Sequence, residues 1–134
     1  MNVEWMRGCA TALVTPFEGG GAVDAEAHRR LVGRQVEGGV RLLVPCGTTG
    51  ESVTMSQAER EEVIGATVGA AEGRARVVAG TGSNATAAAV EQSVRAKALG
   101  VDGVLVVAPY YNKPTQEGLY QHFRAVAEAV EDLP

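Results

Sequence analysis

The sequence predicts an α/β fold in which four strand–helix units are laid round a parallel sheet. Three observations carry that expectation. Four short segments are almost wholly apolar, as strands buried on both faces are. Each is followed by a stretch whose apolar residues recur at helical spacing. The strands open about thirty residues apart, the length of one βα unit. At 134 residues the chain has the size of one ordinary domain and can bury a core.

The first strand is expected over residues 8–15 and ends at Pro16, which has no N–H to give to a ladder. A glycine-rich loop, Gly19-Gly20-Gly21, leads to Asp24 as N-cap of a helix carrying His28, Leu31, Val32 and Val36 and stopping at Gly38-Gly39. The second strand, residues 40–46, feeds the turn Gly47-Thr48-Thr49-Gly50-Glu51-Ser52. Ser56 and Glu59 have the spacing of a capping box, so the second helix starts at Gln57, turns Val63, Ile64 and Val68 inward, and ends near Gly73. Strand three is residues 76–80. Its helix follows Thr81-Gly82-Ser83-Asn84, presents Ala87, Val90, Val94 and Ala98 as one face, and ends at Gly100. Strand four is residues 103–108. Beyond Pro109 and Tyr110-Tyr111-Asn112-Lys113-Pro114, Thr115 caps a last helix with Leu119, Phe123, Val126 and Val130 on its apolar stripe.

Two architectures have this signature. A doubly wound open sheet fits in this length, whereas an eight-fold βα barrel takes about 250 residues, so this chain would be about half of one. In either, the motifs of interest sit where a strand hands over to a helix, which is the functional face.

Composition excludes several classes of function. Net charge is −4 and the basic residues are spread along the sequence, which argues against nucleic acid as a partner. No apolar run approaches the ~20 residues of a membrane span, and Met1-Asn2-Val3-Glu4-Trp5 lacks a basic head followed by an apolar stretch, so the expected location is cytoplasmic. Cys9 and Cys46 fall on expected strands and read as small buried hydrophobes. Cys46 borders the Gly-Thr-Thr-Gly turn, but neither histidine is near it in sequence to activate a thiol. His28 and His122 lie inside separate helices, so no metal pair is expected.

The Gly-Thr-Thr-Gly turn is the strongest candidate site. Its glycines permit positive φ, and its threonines offer adjacent hydroxyls and backbone N–H groups suited to a small carboxylate or phosphate. A plain tight connection is the alternative. Gly80-Thr81-Gly82-Ser83-Asn84-Ala85 matches a dinucleotide fingerprint with Asp102 at about the right distance, but Asp102 precedes its strand, at the wrong end to meet a ribose. No lysine follows these glycines as a phosphate loop requires. Four of the six aromatic residues, Tyr110, Tyr111, Tyr120 and Phe123, crowd one region, and the tyrosine pair opens a loop at a strand tip, where a phenol can pass protons or cover a pocket.

Residues 12–17 (Ala-Leu-Val-Thr-Pro-Phe), the Gly47–Ser52 turn, Gly80-Thr81-Gly82-Ser83-Asn84-Ala85-Thr86, Pro109-Tyr110-Tyr111-Asn112-Lys113-Pro114 and Gln116-Glu117-Gly118-Leu119-Tyr120-Gln121-His122-Phe123 together resemble the N-terminal half of the 4-hydroxy-tetrahydrodipicolinate (dihydrodipicolinate) synthase family. The resemblance implies a (β/α)8 TIM barrel of which residues 1–134 cover about the first four units. It implies a class I pyruvate-dependent lyase, condensing pyruvate with aspartate-4-semialdehyde toward lysine and diaminopimelate. No cofactor is implied, since the electron sink is a lysine imine. By the same resemblance Thr49 binds the pyruvate carboxylate, and Thr48 is a hydroxyl in a proton relay that Tyr111 enters from a neighbouring subunit of a homotetramer built as a dimer of dimers.

Two departures accompany the match. The family's imine lysine, a third relay tyrosine and the arginine for the semialdehyde carboxylate correspond to positions beyond residue 134, and the chain's two lysines, Lys97 on the third helix and Lys113 in a polar loop, are poor substitutes. This chain alone is therefore expected to be inactive. The family's lysine feedback site falls on Ser52, Val53, Gln57, Arg60, Asn84, Ala88 and Tyr110, and a glutamate that would pair with the ligand amine is Ala88. Weak or absent lysine inhibition is the expectation. Two rivals remain: another pyruvate-dependent aldolase of the sialic acid lyase type, and a non-catalytic half-barrel binding module. Thr48-Thr49 in place of Ser-Thr favours the dipicolinate branch over the first.

Overall fold

A computed structural model describes residues 4–134; Met1-Asn2-Val3, part of the N-terminal stretch judged above, lie outside the described residues. Eight main elements alternate: β1 (Ala10–Ala12), α1 (Ala25–Glu37), β2 (Leu42–Val44), α2 (Gln57–Ala71), β3 (Arg76–Gly80), α3 (Thr86–Ala98), β4 (Gly103–Leu105) and α4 (Gln116–Ala129). The strands pair in parallel in the order β1-β2-β3-β4, with Ala10 opposite Leu42, Leu42 opposite Arg76 and Val78 opposite Gly103. Sequential strand order, with α1 packed on α2, α2 on α3 and α3 on α4, puts the helices on one face, which rules out the doubly wound alternative, where helices cover both.

The uncovered face is visible in the exposure pattern. Leu13 and Thr15 are buried towards the helices while Ala10, Ala12 and Val14 are exposed, and on the last strand segment Leu105 and Val107 are about half exposed while Val104 and Val106 pack inward. Four parallel strands with one bare apolar face are an arc of a sheet that closes on itself.

Helix boundaries follow the local chemistry expected of them. Asp24 accepts the Ala27 N–H at 2.8 Å and Thr115 accepts the Gly118 N–H at 3.1 Å. Ser56 and Glu59 form the reciprocal capping box. Beneath α1 and α2, Leu13, Val32, Leu43, Val63, Ile64, Val77 and Ala79 make the main core, each of the larger side chains contributing about 1.5–3 kcal/mol on burial. A smaller cluster of Ala89, Val126 and Val130 joins α3 to α4.

Four expectations are corrected. The strands β1, β2 and β4 are shorter than their apolar runs, because pairing lapses where the chain bends into the upper turns, although Leu13 N–H still reaches Val44 O at 3.0 Å. The buried face of α3 is Ala89, Ser93 and Ala96, while Ala87, Val94 and Ala98 are exposed. Alanines on every side leave little contrast to read, and Ser93 is admitted to the core because its hydroxyl donates to Ala89 O and accepts from Thr81 Oγ1. On α4 Val126 is buried as expected, but the other buried position is His122, whose Nδ1 bonds Thr86 Oγ1 at 2.9 Å, and Phe123 sits beside it at the rim, the two rings T-shaped at 5.4 Å. Cys9 is exposed, and only Cys46 behaves as a buried hydrophobe.

Candidate active site

Parallel pairing brings the C-terminal ends of all four strands to one side, and the turns that follow them meet there. A cavity of about 390 Å3 opens among them, with Gly47, Thr48, Ser52 and Tyr110 in its wall and Leu105 and Val107 as its apolar floor. The rear of the Gly47–Ser52 turn is fastened down. Gly50 N–H donates to Gly47 O and Glu51 N–H to Thr48 O, both at 3.1 Å, and the buried Thr15 hydroxyl donates to Gly50 O at 2.7 Å. Among the described residues the N–H groups of Thr48 and Thr49 have no partner, and both side chains are exposed. Two free donors and two hydroxyls on a rigid turn are what an anionic oxygen ligand requires.

The glycines act here through space rather than through φ. The left-handed residues are Cys46, at φ 56°, and Glu51, at φ 57°. A Cβ on Gly50 would lie 3.0 Å from Leu13 O, and one on Gly80 only 2.2 Å from Cys46 O, so the tip of β3 abuts the turn after β2. That contact requires Gly80 of the second glycine motif, and the backbone of Val107, 2.5 Å from a Cβ on Gly82, requires the other. Asp102 disposes of the dinucleotide reading: its carboxylate pairs with Arg76 and accepts Val77 N–H at 2.9 Å, at the N-terminal end of β3.

Burial pushes the Cys46 thiol up to about 11, and Sγ lies 3.8 Å from Arg60 O, so it is an inert packing group. Lys97 is paired with Asp132 at 2.9 Å on the outer side of α3, and Lys113 is exposed at φ 50° in the loop after β4. Among the described residues no group of three His, Cys, Asp or Glu side chains is placed to hold a metal ion.

Of the residues expected to bear function, Thr48, Ser52, Val53 and Tyr110 line the one cavity, and Thr49 stands on the same turn. Tyr111 is 94% exposed at φ 70° and faces away from the interior of its own chain. Gln57 and Arg60 lie on the first turn of α2, bonded to Glu61 and to Gln92 at 2.9 and 2.7 Å. Asn84 O accepts from Asn112 Nδ2 at 2.8 Å, and Ala88 is half-buried on α3. That Asn84–Asn112 bridge, which ties the β3 turn to the tyrosine loop, was missed from sequence; the only signal was an asparagine in each loop.

A family model described as the dihydrodipicolinate synthetase family matches residues 5–134. The chain belongs to that family. It is 56% identical over 128 residues to the 4-hydroxy-tetrahydrodipicolinate synthase of Pelobacter propionicus, covering 96% of this chain and 43% of the relative. Among solved structures, the dihydrodipicolinate synthase of Aquifex aeolicus superposes with a TM-score of 0.91 at 52% identity, over 95% of this chain and 43% of that one. That of Acinetobacter baumannii, chloride-inhibited and complexed with pyruvate, gives 0.92 at 49% identity over the same shares. The chain thus spans less than half the length of the dihydrodipicolinate synthases it matches. Its arc of four βα units is the corresponding part of their TIM barrel.

Proposed function

We propose that this chain forms the N-terminal half of a 4-hydroxy-tetrahydrodipicolinate synthase, a class I lyase that joins pyruvate, held as a lysine enamine, to aspartate-4-semialdehyde. The observation that carries the reading is the Thr48-Thr49 turn, with two unpartnered N–H groups above a cavity at the strand ends. Pyruvate bound in the Acinetobacter relative supports the same ligand here.

In this scheme Thr49 takes the pyruvate carboxylate through hydroxyl and N–H. Thr48 passes protons along uncharged hydroxyls, which suits a site with little water. Tyr111, almost wholly exposed on its own protomer, completes the relay in a neighbouring subunit of a homotetramer. The amine is supplied from elsewhere in the whole protein, because neither Lys97 nor Lys113 belongs to the cavity wall. A cytoplasmic location accords with this reaction, and among the described residues no helix is long and apolar enough to cross a membrane. The bare apolar face formed by Val14, Leu105 and Val107 argues against a stand-alone binding module, since such a surface has to be covered.

Borohydride reduction in the presence of pyruvate tests the assignment by intact mass. Full-length protein gains one reduced pyruvate adduct per chain, while residues 1–134 alone gain none. An adduct on the short chain would transfer the imine to Lys97 or Lys113, and failure of the full-length protein to form one would overturn the class I mechanism.

A further inference from the structure

A second cavity, of about 290 Å3, lies at the opposite end of the sheet, where β2 and β3 begin. Its wall holds Arg7, Arg41, Arg74 and Arg76, four of the chain's ten arginines, with Glu4 and Trp5. These arginines are far apart in sequence, and the parallel register gathers them. Arg41 precedes β2, Arg76 opens β3 and donates its N–H to Arg41 O at 2.9 Å, and Arg74 comes from the loop after α2.

Three of the four have a carboxylate neighbour that engages only part of the guanidinium. Glu4 meets Arg7 at Nε and Glu72 meets Arg74 at Nη2, at 3.1 and 3.2 Å, while Asp102 takes Nη1 of Arg76. Five N–H donors per guanidinium leave most of each fork open. Arg41 has no ion-pair partner among the described residues. Arg76 also lies over the Trp5 ring, 6.0 Å from its centroid, within reach of a cation–π contact. With Glu4, Glu72 and Asp102 set against the four guanidiniums, one positive charge, that of Arg41, is left without a counter-charge for a bound anion to meet. Guanidinium forks fit tetrahedral oxyanions through paired N–H···O bonds, and the volume is near the lower end for small-molecule sites.

We propose that this cavity binds a small phosphate-bearing anion, at the end of the sheet opposite the Thr48-Thr49 turn and independently of the chemistry there. Inorganic pyrophosphate and ADP are the probes, titrated calorimetrically into full-length protein at low salt and again at about 0.3 M KCl, where exposed charges are screened. One saturable site is expected, weakened about tenfold or more by Arg41→Ala/Arg74→Ala and by Arg41→Glu, and changed less than about twofold by Arg29→Ala/Arg34→Ala, which removes the same charge from α1. All four arginines substituted are surface residues, and circular dichroism with thermal melts verifies that each variant is folded. Tighter binding of ADP than of pyrophosphate identifies a phosphate ester as the ligand type, and equal or weaker binding identifies the free oxyanion. Absence of a saturable site, or equal loss in the α1 control, overturns the proposal.

Discussion

The hydroxyl of Thr15 donates to the carbonyl oxygen of Gly50 across 2.7 Å, joining the chain just past β1 to the turn that follows β2. Both residues are buried, so the bond has no water to replace it. Thr15→Val keeps the shape and leaves that carbonyl unpaired, at a cost of about 1–3 kcal/mol. It also frees the rear of the turn whose front carries Thr48 and Thr49. In full-length protein the expected result is a lower urea midpoint and a raised KM for pyruvate with a smaller change in kcat, both restored by Thr15→Ser. A lowered midpoint with KM unchanged would limit Thr15 to a structural role.

Two glycines of different kinds give a contrast in stability. A Cβ on Gly80 would sit 2.2 Å from Cys46 O, a backbone atom held by the neighbouring strand, whereas one on Gly65, inside α2, would meet nothing within 4 Å. Gly80→Ala is expected to destabilise by about 3 kcal/mol or more, through forced separation of β3 from the upper turn. Gly65→Ala is expected to stabilise by about 0.5–1 kcal/mol, because it removes backbone freedom only from the unfolded chain. Denaturant unfolding of the two variants side by side checks the sign of each.

The βα alternation and the helix caps were legible because each is local: Asp24, Ser56 and Thr115 announce their helices within four residues. The inner face of α3 was not, since it depends on which of several alanines meets β3 and on Thr81 and Ser93 satisfying each other inside the core. The same holds for His122, whose burial needs Thr86 from another helix. At the candidate site the Thr-Thr turn was visible, but the reason for its glycines was not. Positive φ is a property of one residue, whereas the close approach of Gly80 to Cys46 is a property of two strands. The arginine cluster was hidden for the same reason, and in sequence its members look scattered.

Thiol reactivity separates the two cysteines. Cys46 is buried with its pKa raised to about 11, while Cys9 is exposed. Only thiolate is alkylated, so iodoacetamide at pH 7.5 is expected to label Cys9 alone, with Cys46 reacting only after denaturation. Mass spectrometry of tryptic peptides reads this directly. Prompt labelling of native Cys46 would mean that its turn opens on the experimental timescale.

His28 links α1 to α2: Thr67 donates to Val63 O, so the imidazole donates from Nε2 to Thr67 Oγ1 at 2.8 Å. Burial, first, holds His28 below its usual value of 6.5; the nearby Val14 backbone opposes this and Arg29 adds to it. A base depressed in the folded state favours folding above its unfolded pKa, and that stability is lost as pH falls, because the unfolded chain takes up a proton the folded one resists. The urea midpoint is therefore expected to decline as pH falls from about 7 towards 5, and less steeply in His28→Gln. Identical slopes would remove His28 as the cause.

At the positions that the resemblance leads one to expect for a lysine feedback site, the one charged side chain, Arg60, is a cation. Ala88 has no carboxylate to offer, and one turn further along α3 Gln92 Oε1 accepts from the partly buried guanidinium of Arg60 at 2.7 Å. An arriving ammonium would lose its charge partner and face a fixed cation instead. Full-length protein is expected to show weak lysine inhibition or none, and Ala88→Glu to increase sensitivity by about tenfold, the worth of one charge-assisted hydrogen bond. Initial rates against lysine concentration decide the matter. Inhibition of the unsubstituted enzyme by micromolar lysine would show that the ammonium finds another acceptor, and that Ala88 and Arg60 do not govern the site.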